Sequence, residues 1–204
     1  MNHHLRGIIK LCSCIVFLSS VTSAFFLKNL TQNNKPSGLL LPELESLIAA
    51  SESGLEKSYE EDVKEMMVEI SKSRKGDQRK SLPGRWELIY TTEKEINFFK
   101  TSWPFAKVSG ITQGLDLNNE KVVNNVIEFE GGGEFSVTGS TNVVDGDDEY
   151  DRVAFEFTSA KALVWGREIS LPPTGAGWFD TMYCDGNLRL SRDSRGDWSV
   201  FRRT

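Results

Sequence analysis

The chain has 204 residues, 26% of them charged and 39% hydrophobic, enough for one core of moderate size beside a leader, without staples. Its 29 carboxylates outnumber 24 basic side chains, which speaks against nucleic acid and against docking on anionic lipid by charge alone, since both need a basic face. Both histidines (His3, His4) and two of three cysteines (Cys12, Cys14) precede residue 25, leaving Cys184 alone afterwards; an intramolecular disulfide, a His/Cys zinc site and a histidine-based triad or general base are thereby excluded from the rest.

Residues 1–24 carry a short positive region (Arg6, Lys10), an apolar run from Leu11 to Val21 and a small-residue end at Ser23-Ala24. That is the pattern of a secretory signal peptide, and the run is too short for a comfortable membrane span. Residues 25–40 begin Phe25-Phe26-Leu27 and contain no acid, the first being Glu43. With Arg6 and Lys10 set aside, 22 basic residues face 29 acidic ones, a net charge of −7 for residues 25–204. Plain secretion is the competing reading, in which Asn29-Leu30-Thr31 would be a glycosylation acceptor. The lone remaining cysteine disfavours it.

Residues 41–76 are helical in pattern. Pro42 suits a first turn, and Leu44, Leu47 and Ile48 share a face. Ser58 and Glu61 are spaced as a capping box for a second helix, whose stripe of Val63, Met66, Met67 and Ile70 would pack across the barrel as a lid or plug, or alternatively bind lipid or a partner. From Leu82 to residue 204 the period becomes two. Strands are predicted over 85–92, 108–117, 121–129, 134–144, 150–158, 161–169, 178–183, 187–192 and 198–203, with Trp86, Leu88 and Tyr90 on one face of the first. Asn118-Asn119, Asp145–Asp148 and Ser194–Asp197 supply turns. Short strands of even spacing favour an antiparallel barrel.

Several motifs invite sharper readings. Phe98, Phe99, Trp103, Pro104 and Phe105 form an aromatic cluster in a short connection, suited equally to a hydrophobic mouth, a membrane-touching rim or a cap on the core. Asp145 to Glu156 has carboxylates at calcium-loop spacings, but Tyr150 stands where that loop requires glycine and the segment joins strands, so a solvated acidic hairpin tip is expected. Arg195-Gly196-Asp197 is turn chemistry, and Gly131–Gly133 lacks the Lys and helix of a phosphate loop. Asp180 and Asp185 are a conceivable carboxylate pair, yet capping turns around Tyr183 is the commoner use. Cys184 is expected in the core.

The two ends of this segment carry a resemblance. Leu171–Thr204 runs Pro172-Pro173, Gly177-Trp178-Phe179-Asp180-Thr181, Tyr183, Asp185, Leu188-Arg189-Leu190, Gly196, and a hydrophobic strand ending in arginine. Gly84-Arg85-Trp86, Leu88 and Tyr90-Thr91-Thr92 open the segment. Together these blocks resemble the plastid lipid-associated protein (PAP/fibrillin) family, and Gly84-x-Trp86 is also similar to the opening of lipocalins. Gln113 and Val123-x-Asn125 match thinner central positions. The resemblance implies a mainly β fold, a lipocalin-like antiparallel β-barrel with an N-terminal helical segment. It implies structural roles for Gly84, Trp86, Asp180, Tyr183, Asp185, Arg189 and Arg202, with Arg202 or Arg189 stacking on Trp86. Phe98, Phe99, Trp103, Phe105, Gln113 and Trp178 are the expected ligand contacts.

The implied function is non-catalytic binding of an apolar metabolite (carotenoid, prenylquinone or fatty acid class) at thylakoids or plastoglobules, with no cofactor or metal. A droplet coat without a specific ligand and, last, a lipid-modifying enzyme are the alternatives. Ser23-Ala24-Phe25 then resembles the cleavage site of two-part leaders to secondary plastids, with residues 25–40 as the transit segment.

Overall fold

The computed structural model describes residues 37–144, 150–173 and 175–204. The chain divides into two compact units, Met1–Leu40 and Leu41–Thr204; of the first, only the opening turn of helix α1 (Ser37–Ala50) is described. The expected signal peptide, residues 25–36 of the expected transit segment and the acidic tip Asp145–Glu149 lie outside the described residues, while residues 37–40 form the first turn of α1.

Helix α2 (Glu60–Ser71) follows two 3-10 turns, and α3 (Lys94–Thr101) lies between the first two strands. The strands are β1 (Gly84–Thr91), β2 (Val108–Asp116), β3 (Val122–Phe129), β4 (Gly133–Val144), β5 (Asp151–Val164), β6 (Arg167–Leu171), β7 (Ala176–Cys184), β8 (Leu188–Asp193) and β9 (Trp198–Arg203). All pairings are antiparallel, in the order β4-β3-β2-β1-β9-β8-β7-β5, and β4 pairs again with β5 to close an eight-stranded barrel. β6 is a ninth strand on the distal half of β5, where Ala160–Val164 pair with it, while Asp151–Glu156 pair with β7. The lipocalin-like barrel behind N-terminal helices is therefore present.

Local chemistry explains the corrections. Strand β5 runs unbroken for 14 residues, so the separate strand expected over 161–169 does not exist. Ser159-Ala160 offers no glycine, asparagine or aspartate for a tight hairpin loop, whereas Trp165-Gly166, with φ of 51° and 72°, forms a two-residue hairpin loop between paired Val164 and Arg167. Both central residues with positive φ is the type I′ requirement. Helix α1 begins at Ser37, so Pro42 lies inside it rather than in its first turn. The Ser58–Glu61 box is not formed: α2 starts at Glu60 without a side-chain cap, and the Ser58 N–H donates to Glu56 instead.

Two buried layers result. Inside the barrel, Leu82, Trp86, Leu115, Leu117, Val123, Val153, Phe179, Cys184 and Phe201 fill one end. Outside it, the α2 stripe Val63, Met66, Met67 and Ile70 is buried together with Leu44, Ile48, Tyr90, Leu190 and Val200. Each such side chain contributes about 1.5–3 kcal/mol by leaving water. α2 contacts β7, Arg202 on β9 bonds Glu45 on α1 at 3.0 Å, and the loop after α1 is pressed onto the end of β1. A Cβ at Gly54 (φ +98°) would come within 2.1 Å of the Thr91 carbonyl oxygen. The stripe is thus a cover on the outer wall, not a lid or plug.

That cover changes the expected facing of β1 and sets the facing of two other strands. In β1 the register slips between Leu88 and Tyr90, so Trp86 and Leu88 face in while Tyr90 faces the helices. In β8 and β9, Leu190 and Val200 lie under the helices, whereas Arg189 and Phe201 point into the barrel. A β-bulge re-aims the side chains beyond it.

Candidate functional site: a cavity open at one end of the barrel

The barrel is plugged at one end and open at the other. At the plugged end Trp86 is fully buried and its Nε1–H donates to the Leu82 carbonyl at 2.8 Å. The cation above it is Arg203, whose guanidinium carbon is 4.2 Å from the indole centroid, with Arg189 at 5.2 Å on the cavity side. Arg203 also donates to the carbonyls of Gly186, Pro83 and Ser81. The space it needs explains Gly84 (φ +137°), where a Cβ would meet Arg203 Nη1 at 2.2 Å. Arg202, one of the two expected partners of Trp86, is corrected to an outward residue: strand alternation sends it to Glu45.

Above this plug lies a cavity of about 550 Å³. Its walls are mainly apolar, including Leu88, Ile111, Val123, Ile127, Phe135, Val137, Phe155, Phe157, Ala160, Phe179 and Phe201. Its floor is polar. Gln113 Nε2 donates to Asn125 at 2.9 Å, and Arg189 Nη2 donates to the Gln113 carbonyl oxygen. Burial pushes the pKa of Arg189 down to about 9, still protonated at neutral pH. The mouth carries α3, the end of β6 and the β8–β9 turn, with Ile96, Phe99, Pro172 and Arg195 on the lining. Asn97 Nδ2 donates to the carbonyls of Gly54 and Thr91, and Lys100 to that of Ser53, which ties α3 to the inter-helix loop. Burial raises the Glu93 pKa to about 7 despite its 2.7 Å bond to Arg195, and lowers that of Lys100 to about 8.

The expected contacts distribute unevenly. Phe99 and Gln113 line the cavity. Trp103 packs between Phe99 and Phe129, at 5.0 and 6.1 Å between ring centroids, while Phe98 and Phe105 stand out from the rim. Trp178 is on the outer wall under the Arg152 guanidinium at 3.7 Å, because alternation along β7 turns Gly177 and Phe179 inward instead. Asp180 and Asp185 do not form a pair. Asp180 takes a two-pronged bond from Arg152 at 2.7 and 2.9 Å. Asp185 accepts from the N–H groups of Asn187 and Leu188 and from Tyr183 Oη, the turn-capping role expected of it. Cys184 is buried and free, and burial raises its pKa. Among the described residues no group of three His, Cys, Asp or Glu side chains could hold a metal.

Sequence reasoning missed the hairpin tip. Of eight exposed large apolar side chains among the described residues, six lie around the mouth: Phe98, Phe105, Val164, Trp165, Ile169 and Leu171. Trp165 is 94% exposed and holds φ at 51°, a conformation costly for a bulky residue. A tryptophan followed by the glycine of a two-residue loop was the available signal.

The fold defines a lipocalin-like barrel that encloses a cavity with a polar floor and an apolar rim. The PAP_fibrillin family pattern matches residues 43–165, more than half of the chain, and the protein belongs to that family. The match runs from within α1 to the end of β5 and leaves out β6 to β9, where the motif resemblance is densest. A curated relative, "Probable plastid-lipid-associated protein 11, chloroplastic" of Arabidopsis thaliana, is 37% identical over 125 residues, which is 60% of this chain and 57% of the relative. The chain thus spans little more than half the length of that relative. No solved structure matches it. Membership of this non-catalytic family supports a non-enzymatic protein.

Proposed function

We propose that the protein is a plastid lipid-associated binding protein that takes an apolar metabolite of the carotenoid, prenylquinone or fatty acid class into its barrel, while the rim contacts a thylakoid or plastoglobule surface. The observation that carries this reading is the apolar-walled cavity of about 550 Å³ opening among six exposed apolar side chains. Ligand sites of this kind span about 300–1,000 Å³, with a few polar groups fixing orientation. Binding is partition rather than chemistry, since apolar surface leaving water is worth about 25 cal/mol per Å².

Plastid delivery is supported by the chloroplastic relative. A signal peptide over 1–24 followed by a transit segment over 25–40 is the route proposed for it, with the helical segment 41–76 and the barrel 82–204 as the mature protein. The exposed rim also favours a second reading, a coat on lipid droplets with no specific cargo. Titration of delipidated protein separates the two. Saturation at one apolar molecule per chain supports the carrier, whereas binding that only scales with vesicle area supports the coat.

A further inference from the structure

The floor of the cavity holds an arginine whose charge is not matched. Arg189 is 1% exposed. Its Nη2 bonds Gln113, but Nε and Nη1 have no hydrogen-bond partner. Its other neighbours are the faces of Phe201 at 4.0 Å, Trp86 at 5.2 Å and Phe179 at 5.4 Å. Among the described residues no carboxylate pairs with it, and Arg203, the nearest other cation, adds repulsion while its own donors are taken up by backbone carbonyls. Beside it on the inner wall, Ser191 Oγ and Thr181 Oγ1 are likewise buried and unbonded, on residues that face each other across β7 and β8.

A buried cation without a counter-charge is strongly disfavoured, and unbonded hydroxyls add to that cost. In a water-soluble carrier such a set is explained by the ligand that completes it. Resting on the carrier reading above, we propose that Arg189, with Ser191 and Thr181, is the receptor for one carboxylate, so that the cargo is a long-chain carboxylic acid bound head-down against the floor with its chain toward the mouth. One guanidinium balances one negative charge, which selects a monoanion over a phosphate dianion. A guanidinium and two hydroxyls supply donors suited to carboxylate oxygens. The walls above are apolar, as a hydrocarbon chain requires.

The test uses the full, delipidated chain and two probes of the same chain length, oleate and methyl oleate, measured by isothermal titration below their aggregation concentrations. Oleate is expected to bind one per chain, at least 30-fold tighter than the ester, which cannot supply the charge. Arg189→Gln should erase that preference by weakening oleate alone, and Arg189→Lys should restore part of it. If Arg189→Gln does not fold, the acid-to-ester ratio on the unaltered protein still decides. Equal affinity for acid and ester overturns the carboxylate receptor and leaves the carrier standing. Binding of neither probe, nor of any compound from a plastid lipid extract, overturns both.

Discussion

Placing an indole in the cavity tests whether the barrel interior is the ligand site. Ala160 and Val137 face each other across β4 and β5 on the cavity wall, and Ala160 is 5% exposed. An aromatic side chain buries about 150–250 Å², so Ala160→Trp would deny the ligand on the order of 100–150 Å² of wall. At about 25 cal/mol per Å² the loss is roughly 2.5–4 kcal/mol, or about 70- to 700-fold in affinity. The same indole fills a pre-existing space, so stability should change little, in contrast to its insertion into a packed core. The assay is displacement of a bound fluorescent fatty acid, with a urea melt as the control for folding and Val137→Phe as a milder second variant. Undiminished binding by a folded Ala160→Trp protein would refute the assignment of the cavity.

Trp165→Gly should relieve the positive φ and raise stability by about 1 kcal/mol, while weakening sedimentation with uncharged phosphatidylcholine vesicles several-fold and leaving cavity affinity unchanged; vesicle binding equal to that of the unaltered protein would remove the tip from the lipid contact. Asp180→Asn loosens the bond to Arg152 on the outer wall and should cost about 1–3 kcal/mol in a urea titration, with ligand affinity within twofold of the original. A folded variant that no longer binds would move Asp180 into the site. Glu93 has a pKa raised from 4.5 to about 7 by burial, so the folded state holds its proton more tightly than the unfolded one. Its contribution is fully present below about pH 4.5 and lost as pH rises through 7, an effect of about 1–3 kcal/mol. Urea midpoints between pH 4.5 and 8 should therefore fall more steeply for the unaltered protein than for Glu93→Gln, and parallel curves would contradict the burial of that carboxylate.

The barrel was legible because its strands alternate and its turns use Asn, Asp and Gly, and because Gly84-x-Trp86 and the Leu171–Thr204 block sit at its two ends. Which face of each strand points inward was not legible. Alternation reports that two faces differ, and the polar face is normally the outer one. Here α1 and α2 cover the outside of β1, β9, β8 and β7, so Leu190 and Val200 are buried outside the barrel while Arg189 points into it. The bulge before Tyr90 is equally silent in the sequence, since it depends on the register against β9. The choice of Arg203 over Arg202 above Trp86 follows from that same register. The mouth was half legible: the cluster from Phe98 to Phe105 stood out, but Trp165 did not, because a single tryptophan has no period and its exposure depends on a hairpin that projects past the barrel wall.

The central claim is that this barrel carries a specific apolar cargo. The most direct measurement is to expose the delipidated protein to a plastid-membrane lipid extract, repurify it, and identify co-eluting compounds by mass spectrometry. One apolar compound at close to one molecule per chain, enriched far above its share of the extract, is the predicted result. Bulk membrane lipid in extract proportions, or no lipid at all, would contradict the account and leave the surface coat as the better description.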